Sequence, residues 1–348
     1  PGEAVDWVAG VFVSKENITN NEDIHLPLMS IEILTDSSTY KKSYALFGEL
    51  DYTFTEKWQG RAGIRYSHDQ TSFDIQQSII DATGIATAAY SDVHHWSAVT
   101  PEFGLNYIAD EDTFYYGKIS RGYKAGGYNT SSIQQPYDPE YMWSYEIGVK
   151  ADMPDKAMRI NTSLFYYDYT DMQLLTLPPN APVGTLPVID NAAKSAIWGM
   201  DLQTWYHPLT DLEIIAAATL LDASYKEFIS VDPNNPDNNP DHSGEPLPNA
   251  PDMSLVLGAN FQWPGFYKGD LRLSANYKYQ SAVFYNVYHD DATRQQGFGL
   301  LNASLSYAAY SSRWYAEIYG NNLTDELYAQ NIIRIDPVLG TARYWGEP

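Results

Sequence analysis

Cationic and aromatic side chains that could bind a ligand occur in two short stretches of the chain. Their members are Arg121, Tyr123, Lys124 and Tyr128 in the first stretch, and Tyr285, Tyr288 and Arg294 in the second. Guanidinium and ammonium groups attract anions, and tyrosine rings offer flat faces for stacking. The pattern predicts binding chemistry. The alternative is that these tyrosines belong to a belt at a membrane interface and that Arg121 only braces its rim.

The chain offers no catalytic set of residues. No Gly-x-Ser-x-Gly or His-Glu-x-x-His pattern stands out, and zero cysteines exclude a thiolate metal site or a cysteine nucleophile. The adjacent His94 and His95 could hold a metal or haem, but neighbouring residues of a strand face opposite sides. A polar surface role is favoured for this pair. We predict no enzyme activity, no metal site and no cofactor.

The charge of the chain limits its partners. Lys and Arg number 21 and Asp and Glu number 44, so the formal net charge is −23, which excludes nucleic acid as a partner. Residues 232–241 are rich in Asp, Asn and Pro, a composition typical of a solvated surface loop. Their oxygens could also bind Ca²⁺, although the spacing matches no EF-hand loop. The solvated loop is the prediction, and calcium is the alternative.

Alternation of apolar and polar residues at period two dominates the chain. Residues 143–150 read Trp-Ser-Tyr-Glu-Ile-Gly-Val-Lys, so apolar side chains face one way and polar or small ones the other. No apolar run reaches the roughly 18 residues that a membrane helix needs. The connections between the alternating stretches are short and long in turn, which is the layout of a transmembrane β-barrel. A soluble sandwich also alternates, but without this asymmetry between its two ends.

The alternation predicts thirteen strands and the start of one more. They are Ala4–Val13, Ser43–Phe54, Trp58–Asp69, Trp96–Tyr107, Thr113–Lys124, Tyr141–Ala151, Met158–Leu174, Asp190–Tyr206, Asp211–Tyr225, Met253–Trp263, Leu271–Asn286, Leu300–Ala309 and Arg313–Asn331, followed by an incomplete strand near Gly340. Residues 14–42 and 70–95 are predicted to be long loops. Leu257 and Leu273 should face lipid, whereas Asn260 and Arg272 should face the lumen.

Aromatic residues cluster at the short turns. The chain holds 29 Tyr, 9 Trp and 12 Phe, and five of its six short turns carry an aromatic pair. The pairs are Phe54 and Trp58, Tyr107 and Phe114, Trp205 and Tyr206, Trp263 and Phe266, and Tyr307 and Trp314. Amphipathic rings prefer the headgroup level of a bilayer. The short turns are therefore predicted to form one membrane rim and the long loops the other.

Four segments carry a family resemblance. They are residues 120–129 (Ser-Arg-Gly-Tyr-Lys-Ala-Gly-Gly-Tyr-Asn), 139–150 (Pro-Glu-Tyr-Met-Trp-Ser-Tyr-Glu-Ile-Gly-Val-Lys), 165–173 (Phe-Tyr-Tyr-Asp-Tyr-Thr-Asp-Met-Gln) and 320–328 (Gly-Asn-Asn-Leu-Thr-Asp-Glu-Leu-Tyr). In the last segment, Asn322, Leu323, Asp325 and Tyr328 match an Asn-Leu-x-Asp-x-x-Tyr signature. In this order the segments resemble those of TonB-dependent outer-membrane receptors, siderophore receptors in particular, over nearly the whole chain.

The resemblance implies a 22-stranded antiparallel barrel closed by an N-terminal plug domain. Residues 1–348 hold only about 13 to 14 strands, so we expect one incomplete barrel domain, curved into an open trough, without the plug, the TonB box or the first strands. The opening residues Pro1, Gly2 and Glu3 begin no signal peptide. We therefore expect the natural N-terminus to lie upstream.

The resemblance also implies a function. We expect a receptor in the outer membrane of a Gram-negative bacterium, surrounded by lipid, that imports a ferric siderophore with energy delivered by the TonB complex through the missing N-terminal part. Import of an oligosaccharide, haem or cobalamin is the alternative; haem is disfavoured because Phe-Arg-Ala-Pro and Asn-Pro-Asn-Leu segments are missing. A passive porin would need an open lumen. An enzyme or adhesin would need a catalytic cluster or repeats, and the sequence shows neither.

Overall fold

The computed structural model describes residues 4–26, 30–153, 157–176, 188–232, 239–311, 314–336 and 340–346. These residues form seventeen strands and one short 3-10 helix, Asp291–Thr293. The strands are β1 Val5–Leu26, β2 Ile31–Thr53, β3 Trp58–Asp81, β4 Gly84–Ile108, β5 Thr113–Lys124, β6 Glu140–Asp152, β7 Met158–Thr176, β8 Val188–Leu209, β9 Leu212–Phe228, β10 Met253–Phe266, β11 Gly269–Gln280, β12 Val283–Phe284, β13 Arg294–Gln295, β14 Phe298–Ala309, β15 Tyr315–Gly320, β16 Ala329–Asp336 and β17 Gly340–Trp345. Within the described ranges, no helix is long and apolar enough to cross a membrane.

Thirteen strands form one antiparallel sheet in which each strand lies beside its neighbour in sequence. The order is β1 to β11, followed by β14 and β15. The short strands β12 and β13 pair with each other, as do β16 and β17. In the described part of the chain, β1 and β15 are the two edges of an open sheet. This architecture confirms the predicted all-β antiparallel meander of 13 to 14 strands.

The cross-strand register sorts the side chains onto two faces. Leu257 of β10 lies opposite Tyr277 of β11, and Tyr277 lies opposite Leu301 of β14, so one apolar row crosses three strands. Asn260 and Arg272 fall on the other face. Leu257 is 44 % exposed, and Ile147, on the apolar face of β6, is 61 % exposed. Large apolar side chains thus form an outer surface, as lipid contact requires.

The surface area supports the same conclusion. The chain exposes 20881 Å², whereas a soluble monomer of its 39.2 kDa mass exposes about 14,000 Å². Among the described residues, a single open sheet that is uncovered on its apolar face as well as on its polar face accounts for the excess. The fold therefore depends on bilayer lipid to bury its apolar surface.

The opposite face of the sheet carries ion pairs. The Nε atom of Arg61 lies 2.7 Å from Oδ1 of Asp51, and Nζ of Lys118 lies 2.9 Å from Oε2 of Glu102. At one end of the sheet, the rings of Trp58 and Tyr107 lie 4.7 Å apart across neighbouring strands. The paired charges suit a wet lumen, and the ring contact lies at the predicted aromatic rim.

The prediction of long loops at residues 14–42 and 70–95 is wrong. Strand β1 continues to Leu26 and β2 begins at Ile31, while β3 continues to Asp81 and β4 begins at Gly84. Strands β3 and β4 meet in a tight turn in which Asp81 Oδ1 accepts hydrogen bonds from the amides of Thr83 and Gly84. The residues were mistaken for loops because polar β-formers such as Thr and Ser occupy both faces there. A membrane-spanning strand needs about 9–11 residues. These four hairpin strands of 22 to 25 residues therefore project well beyond a bilayer.

Two further strand predictions are too long. The strand predicted over Leu271–Asn286 ends at Gln280, and the chain then forms the small hairpin of β12 and β13. The strand predicted over Arg313–Asn331 is interrupted after Gly320. Asn322 and Asp325 adopt positive φ angles of 47° and 53°, which a β-strand cannot accommodate.

Candidate ligand-binding site

The first group of predicted binding residues lies at the end of β5 and in the loop that follows it, residues 125–139. Tyr128 is only 6 % exposed. Its ring stacks on Phe73 at 4.6 Å and meets the edge of Trp96 at 6.4 Å. Its hydroxyl donates a hydrogen bond of 2.8 Å to Asp92. Tyr128 thus anchors the 125–139 loop to the projecting parts of β3 and β4.

The two glycines before Tyr128 allow this close approach. A Cβ atom on Gly126 would lie 2.3 Å from the carbonyl oxygen of Tyr137 and 2.6 Å from the ring of Trp96. A Cβ atom on Gly127 would lie 2.5 Å from the Tyr137 hydroxyl. At position 126 the overlap is with backbone, so only glycine fits there, whereas at position 127 it is with the end of the Tyr137 side chain, which would have to move. The Gly-Gly pair in the family-like segment has a packing role in this loop.

Hydrogen bonds join the 125–139 loop to strands on both sides. The Asn129 side chain donates to the carbonyl of Ile189 at 3.0 Å and accepts from the Ile189 amide at 2.7 Å. On the other side, Ser37 donates to the carbonyl of Thr130 at 2.9 Å, and Gln77 donates to the carbonyl of Ser131 at 3.0 Å. The loop therefore bridges β2 and β3 to β8.

The remaining members of the first group are held in different ways. The guanidinium of Arg121 lies 4.2 Å from the ring centre of Tyr141, and Tyr123 donates a hydrogen bond of 3.0 Å to Asp69. Lys124 is exposed and lies 3.9 Å from Glu140. Glu140 is only 15 % exposed and accepts a hydrogen bond of 2.8 Å from the amide of Gln173, whereas the Lys124 side chain is 63 % exposed and only loosely paired. Lys124 therefore keeps its charge available for an external anion.

The second group lies in the connection between β11 and β14, beside a packed cluster of rings. Tyr288 lies 6.5 Å from Phe228 and 5.5 Å from His242, measured between ring centres. The hydroxyl of Tyr285 donates a hydrogen bond of 2.8 Å to the carbonyl of Ala329. Tyr285 and Tyr288 thereby connect this loop to β16 and to the loop after β9.

Arg294 is the exposed cation of the second group. Its guanidinium carbon lies 5.6 Å from the centre of the Phe284 ring. The ring of His289 also stacks on Phe284, at 4.5 Å between ring centres with an interplanar angle of 5°. An exposed arginine over an aromatic ring keeps free donors for an anionic group.

Burial determines the protonation of the loop tyrosines. Desolvation raises the pKa of Tyr128 and of Tyr285 above the usual phenol value. The hydrogen bond from Tyr128 lowers the pKa of Asp92. At neutral pH these phenols are therefore protonated, and they act as hydrogen-bond donors and ring surfaces rather than as phenolate ligands.

The C-terminal motif residues form a tight turn above β14. The side chain of Asn322 accepts a hydrogen bond of 3.0 Å from the amide of Glu326 and donates one of 3.0 Å to its carbonyl. Leu323 donates its amide to the carbonyl of Leu301 at 2.7 Å, and Asp325 follows with positive φ. Tyr328 stacks on Phe298 at 4.5 Å. The motif directs the chain from β15 towards β16.

The middle of the acidic stretch, 233–238, lies outside the described residues, so calcium binding there stays a hypothesis. Three residues that sequence reasoning placed in a loop, Asp23, His25 and Glu32, come together on one hairpin. No local motif signals this group, because its members become neighbours only through strand pairing.

An open meander with one apolar face, one charged face and a layer of folded loops at one end defines part of a transmembrane β-barrel receptor. Residues 7–323 match the family described as TonB dependent receptor-like, beta-barrel. The chain belongs to this family, which confirms the resemblance drawn from the four segments. The family comprises outer-membrane receptors of Gram-negative bacteria and not enzymes, so the prediction of a receptor without enzyme activity is confirmed at this level.

Curated relatives and solved structures agree with the family. The chain is 26 % identical over 203 residues to the pesticin receptor of Yersinia enterocolitica, covering 57 % of this chain and 28 % of that protein. It is 28 % identical over 173 residues to the metal-pseudopaline receptor CntO of Pseudomonas aeruginosa, covering 49 % and 22 %. The ferric yersiniabactin uptake receptor FyuA from Yersinia pestis superposes with a TM-score of 0.81 at 18 % identity, covering 99 % of this chain and 50 % of that one. The chain thus spans about half the length of this solved relative and less of the curated ones.

Proposed function

We propose that the chain is the C-terminal part of the barrel of a receptor that imports a ferric siderophore across the outer membrane, driven by TonB. The observation that carries the proposal is the presence of two exposed cations in the loop layer, Lys124 and Arg294, the second of which lies over the ring of Phe284. Ferric chelates present anionic groups and flat rings, which such a surface attracts. The names of the metal-pseudopaline and ferric yersiniabactin receptors support the same class of cargo.

The seven predicted residues take different roles in this proposal. Lys124 and Arg294 contact the ligand directly. Arg121, Tyr123 and Tyr285 shape the rim through their contacts with neighbouring strands. Tyr128 and Tyr288 hold the two loops in place through buried ring contacts. The division follows exposure, because a side chain that is already packed has little surface left for a ligand.

The acidic net charge is compatible with an anionic cargo if the negative side chains are neutralised or distant. Asp51 and Glu102 are paired with cations on the polar face. Another acidic run, 110–112, lies in the turn between β4 and β5, at the end of the sheet opposite to the folded loops. Long-range repulsion from that end is screened, since the Debye length is about 8 Å at physiological salt.

Growth under iron limitation tests the proposed cargo. A strain deleted for the gene should lose growth on one ferric chelate, supplied singly, and a TonB deletion should give the same defect. Loss of growth on an oligosaccharide, cobalamin or haem, with every ferric chelate still used, would refute the cargo and keep the transporter class. Solute flux that persists without TonB would show a passive porin instead.

Charge reversal tests the proposed ligand contacts. Lys124→Glu and Arg294→Glu should each reduce uptake of radioactive ferric chelate by about tenfold, the effect of losing roughly 1.4 kcal/mol of binding. Lys268→Glu is the matched control, because Lys268 is exposed in the turn between β10 and β11 at the opposite end. Equal uptake in all three variants would contradict the assigned contacts.

A further inference from the structure

The outer end of the β1–β2 hairpin brings together three metal-ligating side chains. His25 lies directly opposite Glu32 in the antiparallel register, and Asp23 precedes His25 by two residues on the same strand. Period-two geometry places all three side chains on one face of the hairpin. Strand pairing therefore fixes the positions of all three residues.

Both carboxylates approach the same imidazole nitrogen. Nε2 of His25 lies 3.3 Å from Oδ1 of Asp23 and 3.8 Å from Oε1 of Glu32. One donor atom from each residue lies within 4.8 Å of the others. Zinc binds nitrogen and oxygen ligands at about 2.0–2.2 Å, so the edge of its tetrahedron is about 3.4 Å. The Asp23 to His25 edge already has this length, and the other edges reach it by side-chain rotation.

The surroundings of the group favour a cation. His25, Glu32 and Asp81 line an open cavity of about 550 Å³ at the tips of the first two hairpins. The Asp81 carboxylate accepts hydrogen bonds from the turn amides of Thr83 and Gly84, so it adds negative potential and is not counted as a ligand. The three ligating side chains are accessible, with exposures of 54 %, 63 % and 34 % for Asp23, His25 and Glu32.

We propose that Asp23, His25 and Glu32 bind one divalent transition-metal ion of the Zn²⁺ type on the outer surface of the receptor. A neutral imidazole nitrogen with two carboxylate oxygens suits Zn²⁺, whereas Ca²⁺ takes six to eight oxygen ligands. Three protein ligands leave one position of the tetrahedron open to water or to a donor from outside. This site stands apart from the loop layer proposed for ligand capture, and its test is independent of the transported cargo.

Calorimetric titration with Zn²⁺ tests the site on the full-length, tag-free protein in detergent. A large excess of Ca²⁺ is included, because it occupies carboxylate-only sites on this acidic protein and leaves a site with a nitrogen ligand free. The expected result is one Zn²⁺ per chain. His25→Ala should weaken binding by more than the tenfold that loss of a supporting partner already costs in metal sites, and Asp23→Asn should weaken it similarly without removing the imidazole.

His207→Ala is the matched control. His207 lies 3.5 Å from a single carboxylate, that of Glu213, and is half exposed, so it shares the histidine–carboxylate chemistry without the second carboxylate. Its variant should bind Zn²⁺ as the unmodified protein does. Unchanged Zn²⁺ affinity in both His25→Ala and Asp23→Asn, with heat-modifiable gel mobility showing a folded barrel, would overturn the proposal. The absence of any stoichiometric binding by the unmodified protein would overturn it as well.

Discussion

Replacing Leu257 by arginine tests the assignment of the two faces of the sheet. Leu257 lies on the apolar face between Ala216 and Tyr277, and Trp263 follows it by six residues on β10. Six residues at about 3.3 Å each, with a strand tilt of about 40°, place it about 15 Å from the aromatic rim. The apolar band of such barrels is about 25 Å tall. Leu257 therefore lies near the middle of the membrane.

The magnitude of the effect follows from this depth. An arginine on the lipid face at the bilayer midplane costs about 2–4 kcal/mol, and the cost falls to about 0–1 kcal/mol near the interfaces. Asn260→Arg is the matched control, because Asn260 lies three residues further along β10 on the charged face and donates a hydrogen bond of 2.8 Å to Glu213. An arginine at that position can pair with the same carboxylate. Its cost should be under about 1 kcal/mol.

Denaturant unfolding of the full-length receptor in phospholipid bilayers measures this difference. The free energy of unfolding should be about 2–3 kcal/mol lower for Leu257→Arg than for Asn260→Arg. Equal costs for the two variants, or a larger cost for Asn260→Arg, would refute the face assignment. In that case the register of β10 against β9 and β11 would have to shift by one residue.

Three further predictions concern the loops. Gly126→Ala should destabilise the 125–139 loop by about 1–3 kcal/mol because its Cβ overlaps backbone, and the loop should then be cut faster by a protease. Gly122→Ala is the control: its Cβ has no contact under 3.6 Å, so the loop should stay resistant to the protease. Tyr128→Phe should lower the free energy of unfolding at neutral pH. Because the hydrogen bond from Tyr128 lowers the pKa of Asp92, the loss relative to the unmodified protein is full above a pH of about 4 and should shrink as the pH falls further. A loss that stays constant across acid unfolding titrations would contradict this. Asn322→Ala should cost about 1–3 kcal/mol in thermal unfolding, since it loses three side-chain hydrogen bonds and strains a positive φ. An unchanged melting temperature would show that the turn does not need this side chain.

The sheet could be predicted from sequence wherever one face had to be apolar. Strands such as β6 and β10 alternate along nearly their whole length and carry aromatic residues near an end, and lipid on one side fixes their register. The predicted start and end of β5, Thr113 and Lys124, agree with the structure. The four motif segments also identified the family correctly, because they specify local geometry that recurs with this fold.

The prediction failed where lipid no longer constrains the sequence. Above the membrane, β1 to β4 can be polar on both faces, so alternation disappears while pairing continues. The binding residues were chosen by type, and type does not show burial: Tyr128 and Lys124 lie four residues apart, yet one is packed and the other exposed. The partners that distinguish them, Phe73 and Asp92, are distant in sequence.

The anchoring of the 125–139 loop affects where the receptor can be engineered. Long outer loops of barrels are the usual choice for inserting an epitope or a fluorescent label, on the assumption that they are loosely held. Here Tyr128, Asn129 and Thr130 bind the loop to β4, β8 and β2 through hydrogen bonds. An insertion there would therefore break its contacts with all three strands. The two-residue turn at Ala82 and Thr83 is exposed, and Thr83 donates its amide to Asp81 of the same hairpin. Foreign sequence should be better tolerated in this short outer turn than in the longer 125–139 loop.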